Sequence, residues 1–391
     1  MARMIVLMVI VLVAQAAQAR VWRVERDGTG DFGVIQDAVD SSASGDTIMI
    51  GPGRYNEGRM VTTPGWTEFV RVLVTRQELT LIGAGPNQTI IGPEDPYSID
   101  QGYDRGLEGS PYFGSYLVRV NGIAFENLFF GIMGGPGPEF IISNCRFSDN
   151  VGGIMCGESN GIDVRDCLFE RTAMGWRRSL TAISCMRAEV SGCTFVLDEN
   201  SDGLQNAVQF DYTTEVIIRD CDFYEGKYGL RIIGTPDNVA TVNNCRFVGQ
   251  SIRGLDVERM SANVQGCTFD RQASAVFTYR STTGLDLRNC LFTDVDVCSI
   301  HIDSIGWMNV QNCILAHGPQ FTVWQPSTCE DILTPDLPHL NMTDNDWGTT
   351  DADTIASWIH TCDYIVDYIP YIGMPVGAET MNWGDLKAQF R

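Results

Sequence analysis

The sequence predicts an all-β protein, a single right-handed parallel β-helix of roughly ten to twelve coils closed by short capping helices. Three observations predict it. A four-residue phrase recurs at intervals of 22 to 28 residues from residue 144 onward. Its first position is always Asn, Asp or Gly. Glycine is also abundant, at 40 of 391 residues, which suits a turn-rich chain better than a helical one.

The phrase reads Asn144-Cys-Arg-Phe147, Asp166-Cys-Leu-Phe169, Gly192-Cys-Thr-Phe195, Asp220-Cys-Asp-Phe223, Asn244-Cys-Arg-Phe247, Gly266-Cys-Thr-Phe269 and Asn289-Cys-Leu-Phe292. Asn312-Cys-Ile-Leu315 continues it, and Asn127-Leu-Phe-Phe130 is an earlier copy without the cysteine. Asn, Asp and Gly accept a left-handed backbone at low cost, so the first position predicts a sharp turn. The apolar–variable–apolar triplet that follows predicts a strand with one buried face. A second strand precedes each phrase by about ten residues, as in Asn206–Asp211, Gly229–Ile233, Gly254–Glu258 and Ser299–Asp303. Leucine-rich repeats lack their leucine skeleton here, and a propeller needs longer units.

A solenoid exposes unpaired strands at its ends, so both ends need caps. Val34, Ile35, Ala38 and Val39 stand at helical spacing and predict an amphipathic plug at the front. Residues 353–359, Asp-Thr-Ile-Ala-Ser-Trp-Ile, predict a short helix with an acidic start at the back. Residues 1–19 are expected to be a signal peptide, with Arg3, the apolar run Ile5–Ala14 and the small residues Ala17 and Ala19. The β-helix is then expected over 20–372 and a tail over 373–391. A secreted or periplasmic location follows. No stretch is long and apolar enough for a membrane span after signal removal. The net charge of −22 argues against nucleic acid and anionic membrane surfaces, and suits a protein that collects divalent cations. A monomer is expected.

Residues 24–58 carry Val24-Glu-Arg-Asp27-Gly-Thr-Gly30-Asp-Phe32, Ile35-Gln-Asp-Ala-Val39 and Gly51-Pro-Gly-Arg-Tyr55-Asn-Glu57. This segment resembles the opening of pectin methylesterases and of many secreted proteins of the pectin-lyase-like β-helix superfamily. Leu79–Gly83, Thr89–Gly92 and a closing coil from Asn345-Asp-Trp-Gly348 to Pro370 extend the resemblance over nearly the whole chain. It implies the fold. The catalytic blocks of pectin methylesterases do not carry over: the nearest segments, Gln205–Gln209 and Glu126–Gly131, lack the required aspartate. The polygalacturonase pattern of paired aspartates with Gly-His-Gly and Arg-Ile-Lys is also missing. Neither activity is expected.

Alignment of the second strands sets out the candidate site. One outward row reads Gln209, Arg231, Asp256 and, further along, His301; the next reads Asp211, Ile233, Glu258 and Asp303. The coil of Ala275–Arg280 fits two registers. Asp256 and Glu258 fall at about the carboxylate separation of inverting glycosidases, ~6.5–9.5 Å. They are the candidate catalytic pair, with Arg231, His301 and Asp303 assisting, and Gln209 and Asp211 as substrate-binding residues. Arg231 is expected to favour the ionised form of Asp256, leaving Glu258 as the proton donor. The competing expectation is a solvated, charged strand face without catalysis. Trp176 and Arg177 are candidates for stacking on and clamping a sugar, against a plain basic loop. Asp198, Asn200 and Asp202 before Gly203 alternate oxygen ligands like the first half of an EF-hand loop, which makes Ca2+ the candidate cofactor. An ordinary polar turn is the alternative, because position twelve is Gln209.

Thirteen cysteines invite a disulfide reading. Eight of them occupy the repeated inward position and are expected to be buried, reduced fillers. Cys329 and Cys362 near the closing cap are the candidate pair for a disulfide, with the pairing left open. Asn87 and Asn341 begin glycosylation sequons. The function expected is binding, with processing by a hydrolase or lyase, of a polysaccharide or cell-surface glycan. A non-catalytic structural or cell-surface rod is the alternative.

Overall fold

The computed structural model describes residues 19–63, 66–75, 77–97, 102–109, 115–170, 177–197, 205–280, 282–315, 322–325 and 337–369. The chain winds into a parallel β-solenoid of three sheets. Sheet A has 14 strands and runs from Val21–Val24 to Ile365–Asp367. Sheet B has 10 strands, from Gly53–Tyr55 to Leu291–Thr293. Sheet C has 13 strands and ends at Ile359–His360. A complete coil contributes one strand to each sheet, so successive coils pair in parallel; past Leu291–Thr293 the described coils add strands only to sheets A and C. The described exception is a hairpin at the N-terminal end of sheet C, where Arg59–Thr63 pairs antiparallel with Trp66–Val74.

All nine phrase-initial residues have left-handed backbones, with φ from 50° at Asn144 to 65° at Gly266. From Asn144 to Asn312 that turn leads from sheet A toward sheet B and aims the next two apolar positions inward. Asn127 instead turns from sheet B to sheet C, so the earlier copy of the phrase is Gly122-Ile-Ala-Phe125, with φ of 69° at Gly122, and not Asn127–Phe130. The phenylalanines consequently stack from Phe125 through Phe147, Phe169, Phe195, Phe223, Phe247 and Phe269 to Phe292, with centroids 4.7 to 5.2 Å apart. Each buried ring contributes roughly 1.5–3 kcal/mol by burial and about 0.5–1.5 more by stacking. The ladder cysteines line the same interior, buried and free of disulfides, and their thiols point at backbone carbonyls: Cys221 Sγ lies 3.2 Å from Arg219 O. Cys362 is disulfide-bonded. Its expected partner, Cys329, lies outside the described residues.

Helix α1, Ile35–Ser41, plugs the N-terminal end with Ile35, Ala38 and Val39 buried. Helix α2, Ala352–Ser357, lies one residue ahead of the expected span, because Asp351 supplies the N-cap and accepts from Thr354 N at 3.3 Å. No described helix is long and apolar enough to cross a membrane. Residues 1–18 and 370–391, including most of the expected signal peptide and all of the tail, lie outside the described residues.

Candidate functional site

The outward face of sheet C carries the expected row. Thr181, Gln209, Arg231, Asp256, Phe277, His301 and Trp324 are register partners in turn. The open register around Ala275–Arg280 therefore resolves with Phe277 opposite both Asp256 and His301. In the neighbouring row, Asp211, Ile233, Glu258 and Tyr279 are partners. Asp303 lies past the end of its strand, Cys298–Ile302, and is exposed.

Strand alternation puts Leu255 and Val257 in the core and points Asp256 and Glu258 outward, yet both carboxylate residues are only 2% exposed. This corrects the expectation of a solvated face. Coils sit about 4.8 Å apart, close enough for long arginine side chains to lie across their neighbours. Arg253 Nη1 is 2.9 Å from Asp256 Oδ2, and Arg231 Nε is 3.7 Å from the same oxygen. Glu258 meets Arg231 Nη2 at 3.3 Å, Arg280 Nη1 at 3.4 Å and Arg259 Nε at 3.6 Å. Arg231 thus approaches Glu258 more closely than Asp256, the reverse of the expected preference.

Burial pushes the Asp256 carboxyl above its usual range, against the opposing pull of Arg253 and Arg231 and with Glu258 adding to the rise. Asp256 is therefore held toward its protonated form. Its Oδ1 has no hydrogen-bond partner. On the N-terminal side, Asn206 Nδ2 donates to Gln209 Oε1 at 2.5 Å, and Gln209 Nε2 donates to both Asp211 oxygens at 2.8 Å. Arg178 is held below its usual range by burial, partly offset by Asp211. Five arginines (178, 231, 253, 259 and 280) thus face four carboxylates, those of Asp211, Asp256, Glu258 and Asp303, a local positive excess in a chain of net charge −22.

On the C-terminal side the row becomes aromatic. The Arg253 guanidinium carbon sits 3.3 Å above the Phe277 ring. His301 meets Phe277 edge-on at 4.4 Å and Trp324 at 4.4 Å. Burial, with Arg253 close by, pulls His301 down to about 4, so at neutral pH it offers an uncharged ring.

The structure brings Gln209, Asp211, Arg231, Asp256, Glu258 and His301 onto one face. The strand Arg177–Ile183 continues that face, while Trp176 and the calcium candidates Asp198, Asn200 and Asp202 lie outside the described residues. Sequence reasoning placed Arg178 in the basic segment after Trp176 and missed Arg253, Arg259, Arg280, Phe277 and Trp324. A signal existed for two of them: Tyr212, Arg259 and Arg280 each follow a strand's last residue with φ of 54°, 61° and 50°, a recurring coil position.

The chain belongs to the right-handed β-helix family. The profile described as "Right handed beta helix region" matches residues 112–269 and 199–331, together more than half of the sequence. No curated protein matches it. Among solved structures it is similar to a double mutant of a periplasmic alginate epimerase, with 11% identity, 83% of this chain and 85% of that one covered, and a TM-score of 0.49. An exopolygalacturonase of Yersinia enterocolitica shares 10% identity over 90% and 79%, with a TM-score of 0.43. The catalytic unit of an α-1,3-glucanase from Streptomyces thermodiastaticus shares 12% over 86% and 66%, with a TM-score of 0.44.

Proposed function

We propose that this is an exported protein that binds an acidic polysaccharide along the outward face of sheet C and processes it at Asp256, as a hydrolase or lyase. The observation that carries the reading is Asp256 itself: a buried carboxyl favouring its protonated form, with one unpartnered oxygen, beneath more arginines than the local carboxylates neutralise. The overall negative charge does not oppose this. At physiological salt the screening length is about 8 Å, so a bound chain responds chiefly to the arginines it touches.

A uronate carboxylate arriving at this face competes with Asp256 and Glu258 for the guanidiniums, and bidentate pairing favours the exchange. Drawing the arginines outward uncovers Asp256. In the hydrolytic form of the reading, Asp256 gives its proton to the glycosidic oxygen, and Glu258 accepts a proton from the attacking water. Two residues apart on one strand, their positions are about 7 Å apart, within the ~6.5–9.5 Å of inverting enzymes. Gln209 and Asp211 on one side, and the Phe277–His301–Trp324 strip on the other, hold the flanking sugars.

The second reading, a non-catalytic rod, is favoured by one observation: Arg231, Arg253, Arg259 and Arg280 each have a carboxylate partner within the protein. Affinity electrophoresis separates the two. Gels containing pectate, alginate or hyaluronan, with xylan and β-glucan as neutral controls, are run with and without calcium. At least one acidic polymer should retard the protein, and Arg231→Met should weaken the retardation. No retardation by any polymer favours the rod.

A further inference from the structure

Toward the N-terminus from Asp256, the same face opens into a second cleft of ≈ 460 Å³, lined by Glu68, Arg105, Phe129, Phe130, Met133 and Met155 among others. An unbroken row of register partners joins the two places: Glu108, Met133, Met155, Thr181, Gln209, Arg231, Asp256. Six strand spacings separate its ends, about 29 Å.

The cleft combines an apolar floor with a polar wall. Phe129 packs edge-on against Phe130 at 4.7 Å and against Tyr103 at 4.8 Å, beside half-buried Met133 and Met155. The Arg105 guanidinium bonds Glu108 Oε2 at 2.8 Å and also Glu68 Oε1. Each carboxylate spends one oxygen on Arg105; among the described residues Glu68 Oε2 and Glu108 Oε1 have no hydrogen-bond partner, and the two residues are 9% and 8% exposed. Burial pushes Glu68 above its usual range, which lowers the charge of the wall.

Three ligand classes fit poorly. An anion meets two carboxylates around a single guanidinium that is already engaged. An ammonium group meets that guanidinium. An alkyl chain desolvates the free carboxylate oxygens and gives them no donor. An uncharged sugar ring has apolar C–H faces for the aromatic floor and hydroxyl donors around its rim for the carboxylates, the usual division of labour in a ligand pocket. We propose that this cleft is a separate subsite for an uncharged sugar unit. Given the reading of sheet C as a glycan-binding face, it holds the far part of a chain whose acidic units lie at Asp256. Met155 and Met133, the lining residues on this row, lie four and five strand spacings from Asp256, so the bound polymer is a heteropolysaccharide that places neutral and acidic units about 19–24 Å apart.

The test uses the full chain with 13C-methyl methionine, its Met133 and Met155 signals assigned through Met133→Leu and Met155→Leu. The probes are xylohexaose, cellohexaose, maltohexaose and hexagalacturonate. At least one neutral hexasaccharide should shift both signals. Phe130→Ala and the shape-conserving Glu68→Gln should each weaken that binding at least about tenfold. Silence of both signals toward every neutral hexasaccharide overturns the proposal, as does a response to hexagalacturonate alone or undiminished binding in both cleft variants. Failure of the acidic-polymer electrophoresis would instead sink the reading of the Asp256 centre, and the methionine signals report on the cleft independently of it.

Discussion

Arg253 holds Asp256 from the side, 2.9 Å from Nη1 to Oδ2, while its own guanidinium sits over the Phe277 ring. One side chain thereby ties the acidic centre of the site to its aromatic flank. The ion pair does not prevail over burial, however, and Asp256 remains shifted upward. A buried carboxylate with its partner to one side and a bare oxygen on the other is poised to keep its proton.

The first prediction follows from that shift. The unfolded chain titrates Asp256 near 3.9. The folded protein holds the proton to higher pH, so the contribution of Asp256 to stability is complete below about 3.9 and is lost as pH rises through the folded pKa. Asp256→Asn cannot titrate. The stability of wild type minus that of the variant, from urea unfolding at a series of pH values, should therefore fall with rising pH across this window. A difference that grows with pH would show that the arginines depress the pKa after all.

Asn289 has φ of 54° in the turn between sheets A and B. Replacement by valine, whose branched Cβ resists this conformation, should cost about 1–2 kcal/mol or more. Equilibrium unfolding measures it, and wild-type stability in the variant would mean that the turn is not left-handed.

These turns also show why the fold was legible. The repeated Asn, Asp or Gly has one local conformational job in every coil, and Cys and Phe have one inward face, so a single line of sequence carries the geometry. The site was half legible. Strand alternation gave Gln209, Arg231, Asp256 and Glu258 their common face, since register depends on spacing alone. Their burial was not legible, because it depends on Arg253 and Arg280 reaching across from neighbouring positions and coils. The expected pairing of Arg231 failed for the same reason: sequence adjacency put Arg231 beside Asp256, whereas its side chain leans toward Glu258.

The ladder thiols make a third prediction. Cys145, Cys167, Cys193, Cys221, Cys245, Cys267, Cys290 and Cys313 are each at most 2% exposed. A thiol reagent should find them unreactive in the native protein and reactive once it unfolds. Oxidation of most of them would overturn their role as packed fillers. In the same interior, Phe223→Ala should destabilise by about 3–5 kcal/mol, since it opens a gap in a continuous ring stack.

The most direct measurement is product release from a panel of acidic and neutral polysaccharides by wild type and by Asp256→Asn, with circular dichroism confirming that both are folded. The account predicts turnover of at least one acidic polymer by the wild type. It also predicts a loss of at least about a hundredfold in kcat for Asp256→Asn, the scale of a general acid's contribution. Undiminished turnover by Asp256→Asn, or no turnover of any polymer by the wild type, would contradict it.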